Sequence, residues 1–300
     1  MLDVARLRVL AAVARHGTVT AAAQALHYAQ PSVSHHLARL EAETGVRLVQ
    51  RVGRGIRLTD AGRLLAERAE EILGRLDAAE AELTEHAGLR AGRVRLAAFP
   101  SALGSFVPVA AARFGAAHPG VELRFVEAEP SSALQLLRAG EVDVALVFSH
   151  SASWEASGAR FVPLLTEPLF LVTPVGSAAG TLADHASSRW IAGCERCRED
   201  LLRRCAEAGF TPSIAFTTDD YVAVQALVAA GLGVTTLPAL ALRAHRNMGV
   251  RVTRLPRAAR QVFAATFGDP PDAPATARLL ADLQAAARER PAGGRTARGD

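Results

Sequence analysis

A chain of 300 residues, half of them apolar and 21% charged, has enough material for two domains of ordinary size, each with its own core. That composition excludes wholesale disorder, and three cysteines exclude a disulfide-stapled miniprotein. All 34 basic residues are arginines and the formal net charge is +4, but the charge is unevenly spread. Residues 1–58 hold eight arginines against Asp3, Glu41 and Glu43, whereas residues 60–88 hold three arginines against eight acids. A basic block of domain size is the electrostatic footprint of nucleic-acid binding, the plainer alternative being a solvated basic face. Asp3, Arg6, Arg8 and Arg15 interrupt the apolar run that a signal peptide needs. The longest apolar stretch, Tyr221–Leu242, contains Gln225, two glycines and Pro238 and reads as a buried helix running into a buried strand. A cytoplasmic protein with no membrane span is expected.

Leu7, Leu10, Ala11 and Ala14 recur at helical spacing, and Gly17 is suited to the left-handed residue that ends such a helix. Thr18 or Thr20 then caps a second helix, Ala21–Leu26, and His27-Tyr28-Ala29 forms a turn. A third helix has Pro31 in its first turn, where a missing N–H costs nothing, and turns Val33, Leu37 and Leu40 inward. This order is that of a helix-turn-helix, in which the last helix enters the major groove by its N-terminal half. Gln30, Ser32, Ser34 and His35 then offer hydrogen bonds to base edges, and Arg39 one turn on meets phosphate. An ordinary three-helix domain without a ligand is the competing reading.

Gly45-Val46-Arg47-Leu48-Val49 and Ile56-Arg57-Leu58 alternate like two short strands around a glycine-rich tip that carries Arg51 and Arg54. With Arg57, such a wing reaches phosphates or the neighbouring minor groove. Thr59 caps a long helix running to about Ala87, about 40 Å at the usual rise per residue. Within it Gly62, Leu65, Ala69, Ile72, Leu76, Ala79 and Leu83 follow spacings of three and four, the seam of a two-stranded coil. A second copy of the chain is the simplest partner for that seam, packing against the chain's own C-terminal domain the alternative.

The run Thr18–Leu26, then Tyr28-Ala29-Gln30-Pro31-Ser32-Val33-Ser34-His35-His36-Leu37-Ala38-Arg39-Leu40-Glu41, Gly45-Val46-Arg47-Leu48, Arg51 and Leu58-Thr59-Asp60-Ala61-Gly62 resembles the LysR-type transcriptional regulators, and the layout matches over nearly all of the chain. Ala29, Val49 and Gln50 depart from the residues usual at those positions. The resemblance implies an α/β protein: an N-terminal winged helix-turn-helix, a long linker helix and a two-lobed, periplasmic-binding-protein-like (type II) effector domain. The expected division is a DNA-binding domain over 1–59, a dimerising helix over 60–88 and an effector domain over 89–290, with a disordered tail over 291–300. Within the effector domain one lobe spans about 91–163 and 265–290, the other about 164–264. The expected partners are double-stranded DNA at an interrupted palindrome, a small-molecule effector and further copies of the chain in a homodimer or homotetramer.

From Arg93 onward the pattern alternates strand and helix. The strands are Val94–Ala98, Val121–Glu127, Val142–Phe148, Phe161–Thr173, Ile214–Thr217, Val234–Leu237 and Gln261–Phe267. The helices are Ala102–Ala117, Ser131–Ala139, Arg198–Ala208, Asp219–Ala230 and Ala275–Arg288. Such alternation argues for a mostly parallel sheet in two lobes around a cleft. Ligands in these sheets sit beyond the carboxyl ends of strands, at helix N-termini. Here those places are Phe99, Ser101 and Ala102, then Phe148 and Ser149, then Thr218. Ser101 and Thr218 can equally be plain helix caps, and the resemblance is what puts an inducer near Ser101, Ser149 and Thr218.

Cys194, Cys197 and Cys205 form the remaining cluster. The first two have zinc-like spacing, with Cys205 and either His185 or Glu195 to complete a set. The second pair that zinc sites usually carry is missing, and Arg196, Arg198, Arg203 and Arg204 would compete with a cation. The same arginines would favour a thiolate and hence a redox-sensing regulator, the alternative to a bound effector. Neither a metal nor a cofactor is expected, and no nucleophile-elbow, zincin or Walker motif points to an enzyme. A ligand-binding module without DNA binding is opposed by the basic first 58 residues.

Overall fold

The computed structural model describes residues 2–52, 55–86, 92–150, 158–177, 180–268 and 270–289, the side chains of 51, 52, 55, 77, 78 and 80–86 apart. Arg54 and the expected tail over 291–300 lie outside the described residues, as do the side chains of Arg51 and Leu83. The chain divides into two compact units, Met1–Leu89 with Gln135–Val142 and Arg90–Leu134 with Asp143–Asp300. Among the described residues no helix is long and apolar enough to cross a membrane.

In the first unit α1 spans Val4–His16, α2 Val19–Ala25 and α3 Gln30–Thr44. Asp3 caps α1 by accepting from the Arg6 N–H, and Gly17 at φ 72° ends it in the left-handed conformation. Thr18 caps α2 through the Ala21 N–H, so that helix starts earlier than the alanine run indicated. Val33, Leu37 and Leu40 of α3 pack with Leu7, Leu10 and Val13 of α1 in one apolar core. The hairpin pairs β1 (Val49–Val52) with β2 (Gly55–Leu58). Gly45–Leu48, expected as strand, is not strand, because the Leu48 and Val49 N–H groups are taken by Glu41 Oε1 at 2.8 and 3.1 Å. The Leu48 carbonyl accepts from the Thr59 N–H instead of a strand partner.

Helix α4, Asp60–His86, is fixed to this corner. Thr59 Oγ1 accepts from the Gly62 N–H at 3.0 Å and donates to the Arg47 carbonyl at 2.7 Å. A Cβ on Gly62 would lie 2.0 Å from the Leu48 carbonyl oxygen. Gly62 is therefore a point of backbone contact, and not a seam position facing a second helix.

The second unit is built on a six-stranded sheet. In chain order its elements are β3 (Arg93–Ala98), α5 (Pro100–Leu103), α6 (Val107–Ala117), β4 (Glu122–Glu127), the start of α7 (Pro130–Arg138, which belongs to the first unit from Gln135 on), β5 (Val144–Ser149) and β6 (Ala159–Pro174). There follow β7 (Arg189–Ala192), α8 (Glu195–Glu207), β8 (Ser213–Thr217), α9 (Tyr221–Ala229), β9 (Thr235–Pro238), α10 (Ala239–Ala244), β10 (Val250–Phe267) and α11 (Pro274–Arg288). The strand order is β4-β3-β5-β10-β6-β9, with β7 and β8 in a separate parallel pair. In the large sheet the parallel pairs are β3–β4 and β3–β5; β10 runs antiparallel to β5 and β6, and β6 to β9. The expectation of a mostly parallel sheet is thus corrected. The cause is that both crossings between lobes are long strands, β6 and β10, which pass out and back side by side.

Core membership marks where each crossing changes lobe. Leu164, Val262 and Ala264 belong to the core that holds Phe99 and Phe114, whereas Leu169, Leu255 and Ala258 pack with Trp190 and Leu201. The expected helix Ala102–Ala117 is two helices. Gly104 breaks it where a Cβ would sit 2.3 Å from the Tyr221 hydroxyl, and Ser105 Oγ turns back to the Ser101 carbonyl.

Gly62→Ala should cost about 1–3 kcal/mol of unfolding free energy, the usual range for forcing a methyl into a packed contact. Denaturant unfolding of the full chain measures it, with Gly115→Ala as the control, since a Cβ there meets nothing within 4 Å.

Candidate functional site

In the first unit the inward side of α3 is taken by Val33, Leu37 and Leu40. Gln30, Pro31, Ser32, Ser34, His35 and Arg39 are all exposed, and Ala38 between them leaves the surface low. No acid interrupts this face before Glu41. Ala29 at the N-cap supplies no side-chain bond, so the positive end of α3 stays open to an anion. Tyr28, on the turn into the helix, stacks on His36 with centroids 5.8 Å apart, a contact that spacing alone did not reveal. Arg57 is exposed on β2.

The outward seam expected of α4 divides between two faces. Ala69 is wholly buried in the chain's own core beside Ala66 and Leu73, and Leu65 packs partly against it. Ile72, Leu76 and Ala79 are exposed, and Leu64 joins them. The reason is that α1 already covers the side of α4 that carries Ala66, Ala69 and Leu73.

In the second unit a cavity of about 60 Å³ opens among the ends of β3, β5, β7 and β8, room for about four waters. Phe99, Ser101, Phe148 and Thr218 line it, as expected of the strand ends. Ala102 is instead wholly buried in the first-lobe core, and Ser149 is buried on β5 opposite Gln261. The centre of the cavity is set by a residue that spacing missed. Arg260, 3% exposed on β10, stands in register with Glu167 on β6. Its Nε donates to Glu167 Oε1 at 2.7 Å and its Nη2 to Ser101 Oγ at 2.8 Å. The guanidinium lies 4.1 Å from the Phe148 ring centroid and 5.0 Å from that of Phe99. Glu167 Oε2 takes the Leu240 N–H at the start of α10, so the acid is fully engaged. The Val250–Arg260 part of β10 was invisible to periodicity, because scattered arginines and Pro256 obscure the strand alternation.

Two further acids converge here. Glu129 stands just before α7, and its Oε2 is buried with no hydrogen-bond partner among the described residues. Burial raises its pKa to about 7, against a hydrogen bond from Cys194. Asp219 lines the cavity, while its neighbour Asp220 caps α9 through the Val222 and Ala223 N–H groups.

The three cysteines do not converge. Cys194 and Cys197 sit at the start of α8 with Sγ atoms 3.2 Å apart and line the cavity. Cys205 is wholly buried in the other core, where burial pushes its pKa up to about 11. The Cys197 pKa is lowered to about 5 by the hydrogen bond from Cys194, with His150 and Arg260 acting in the same direction against burial. The Cys194 thiol is correspondingly held up by the same bond and by burial. The arginine that acts on the thiolate is therefore Arg260, across the cleft. Arg203 and Arg204 are turned to Asp200. His185 contacts Ser188 at 3.3 Å, and the groups gathered around Cys194 are Glu129 and Asp219 in place of His185 and Glu195.

Glu167→Ala should destabilise the protein by about 3–5 kcal/mol, because it leaves the Arg260 charge buried and uncompensated. Replacing both partners by apolar residues, Glu167→Leu with Arg260→Met, should recover much of that loss in the same denaturant titration.

Residues 4–63 match the bacterial regulatory helix-turn-helix protein family, lysR type, and residues 87–288 match the LysR substrate binding domain. The HTH-type transcriptional regulator YcgK of Bacillus subtilis (strain 168) is 31% identical over 286 residues, with 83% of each chain covered. The RuBisCO operon transcriptional regulator of Allochromatium vinosum is 31% identical over 239 residues, covering 77% of this chain and 78% of that one. Among solved structures, the LysR family transcriptional regulator CbnR superposes with a TM-score of 0.61 at 24% identity, over 96% of this chain and all of that one, which speaks for the fold. The chain belongs to the LysR family of helix-turn-helix transcriptional regulators.

Proposed function

We propose that α3 reads the major groove, that the β1–β2 wing and Arg39 hold the phosphates, and that α4 joins two copies. The observation that carries this is the exposed, acid-free face of α3 from Gln30 to Arg39 in a segment of strong positive charge. Gln30 suits the paired donor and acceptor of adenine, and Ser32, Ser34 and His35 extend the polar edge. Pro31 fixes the first turn of the helix. Arg51, Arg54 and Arg57 contact the backbone from the wing. Ile72, Leu76 and Ala79, with Leu64, form an apolar stripe on α4 for a second copy, and by sequence spacing alone Leu83 follows them. Two such units read an interrupted palindrome with half-sites about one helical turn, ~34 Å, or a multiple apart, as a dimer or a pair of dimers.

The cavity beside Arg260 takes the effector. Phe99, Ser101, Phe148 and Thr218 bound it, and its position at the changeover of both crossing strands couples occupancy to lobe closure. Such a ligand regulates only through different affinity for two states of the protein. The protein does this work without catalysing a reaction and in the cytoplasm, in keeping with relatives that are named as regulators.

Arg39→Ala should weaken binding to all duplexes alike and reduce the slope of log affinity against log salt by about 0.9, one phosphate's share. Gln30→Ala should instead flatten base preference, by about 1–3 kcal/mol at one position of the operator. Competition binding on an operator library separates the two, and an unaltered preference removes Gln30 from the reading face. Ile72→Glu with Leu76→Glu should yield monomers in sedimentation velocity. A persistent dimer rules out this face of α4.

A further inference from the structure

We propose that the cleft holds a thiophilic divalent cation of the zinc class, bound by Cys194, Cys197, Glu129 and Asp219 and bridging the two lobes. The inference rests on the reading of this cleft as the effector site and names the chemistry of its ligand. One donor atom from each of Glu129, Cys194 and Asp219 lies within 4.8 Å of the other two. Cys197, with its Sγ 3.2 Å from Cys194 Sγ, stands beside this trio and would add a second sulfur to its two oxygens and one sulfur. The residues come from three separate places, the approach to α7, the start of α8 and the β8–α9 turn, so no local turn or cap accounts for their meeting. The cap of α9 is Asp220, which leaves Asp219 without that duty.

Charge decides between a cation and other occupants. Arg260 is the cation lining the cavity among the described residues, and Glu167 matches it. Two acids and two thiols then face the cavity, and Glu129 Oε2 is buried there without a hydrogen-bond partner among the described residues. Sulfur donors disfavour calcium and magnesium, whereas zinc accepts mixed sulfur and oxygen ligands in a tetrahedron. Tetrahedral zinc with ordinary bond lengths places its ligand atoms about 3.4–3.8 Å apart. Glu129 belongs to the first lobe and Cys194 and Asp219 to the second, so an ion held by all of them links the two lobes.

The test uses the full chain, reduced and freed of metal. Zinc should bind at one equivalent per chain, and cobalt should give a thiolate charge-transfer band in the near ultraviolet. Cys194→Ser with Cys197→Ser should abolish the band. Asp219→Asn, an exposed substitution that does not threaten folding, should keep it and weaken zinc binding at least tenfold, as should Glu129→Gln. Zinc should also change the footprint on operator DNA. Absence of stoichiometric zinc, or equal affinity in Asp219→Asn and the double cysteine variant, overturns the cation and leaves the effector cleft standing. So does peroxide converting the Cys194–Cys197 pair to a disulfide in a protein with no zinc affinity. Zinc that binds through these four residues with no effect on the footprint upholds the site and overturns the regulatory reading of the cleft.

Discussion

The buried pair of Arg260 and Glu167 organises the second unit. Each residue sits on one of the two strands that cross between lobes, and the two are in register. Charges this deeply buried persist only when their hydrogen-bonding capacity is met. That requirement reaches outward: to Ser101 at α5, to the Leu240 N–H at α10, and to the faces of Phe99 and Phe148. One ion pair thus ties both crossings, two helix starts and two strand ends to the same point. The cavity lies where it does because these groups cannot move apart without exposing a charge to an apolar surround.

A similar economy holds the first unit together. Leu48 gives its N–H to Glu41 on α3 and its carbonyl to Thr59 at the start of α4, while its side chain is buried in the core. Helix α3, the β1–β2 hairpin and α4 therefore meet at one backbone position. Gly62 lets α4 come against it with no side chain between. The face of α3 left over is exposed, as the proposed contact with DNA requires. The acids of α4 and the arginines of α3 and the wing fall on different elements, so the positive surface is not cancelled locally.

In the cleft, the side chains with structural work and those without it are neighbours. Arg260, Glu167 and Ser101 are engaged with one another. Glu129, Asp219 and the two cysteines face the same space, and their grouping spans both lobes. A ligand that gathers them acts on lobe separation directly, at the place where β6 and β10 change from one core to the other.

The helix-turn-helix could be read from residues alone because its signals are local. Gly17 ends a helix, Thr18 and Thr59 cap others, Pro31 opens one, and the apolar spacing of Val33, Leu37 and Leu40 names the buried face. Phe99, Ser101, Phe148 and Thr218 were likewise found from strand ends, where the chain's own alternation marks the exit from the sheet. Ala69 was misplaced because two faces of a helix with similar apolar spacing differ only in which one a neighbour covers. Arg260 and Glu129 carried no local signal at all, and Asp219 showed only that it stands at a strand end and helix start. Their meaning comes from strand register and from the approach of segments far apart in the chain, so tertiary packing alone decides which charges are buried, which are matched and which are left facing the cleft.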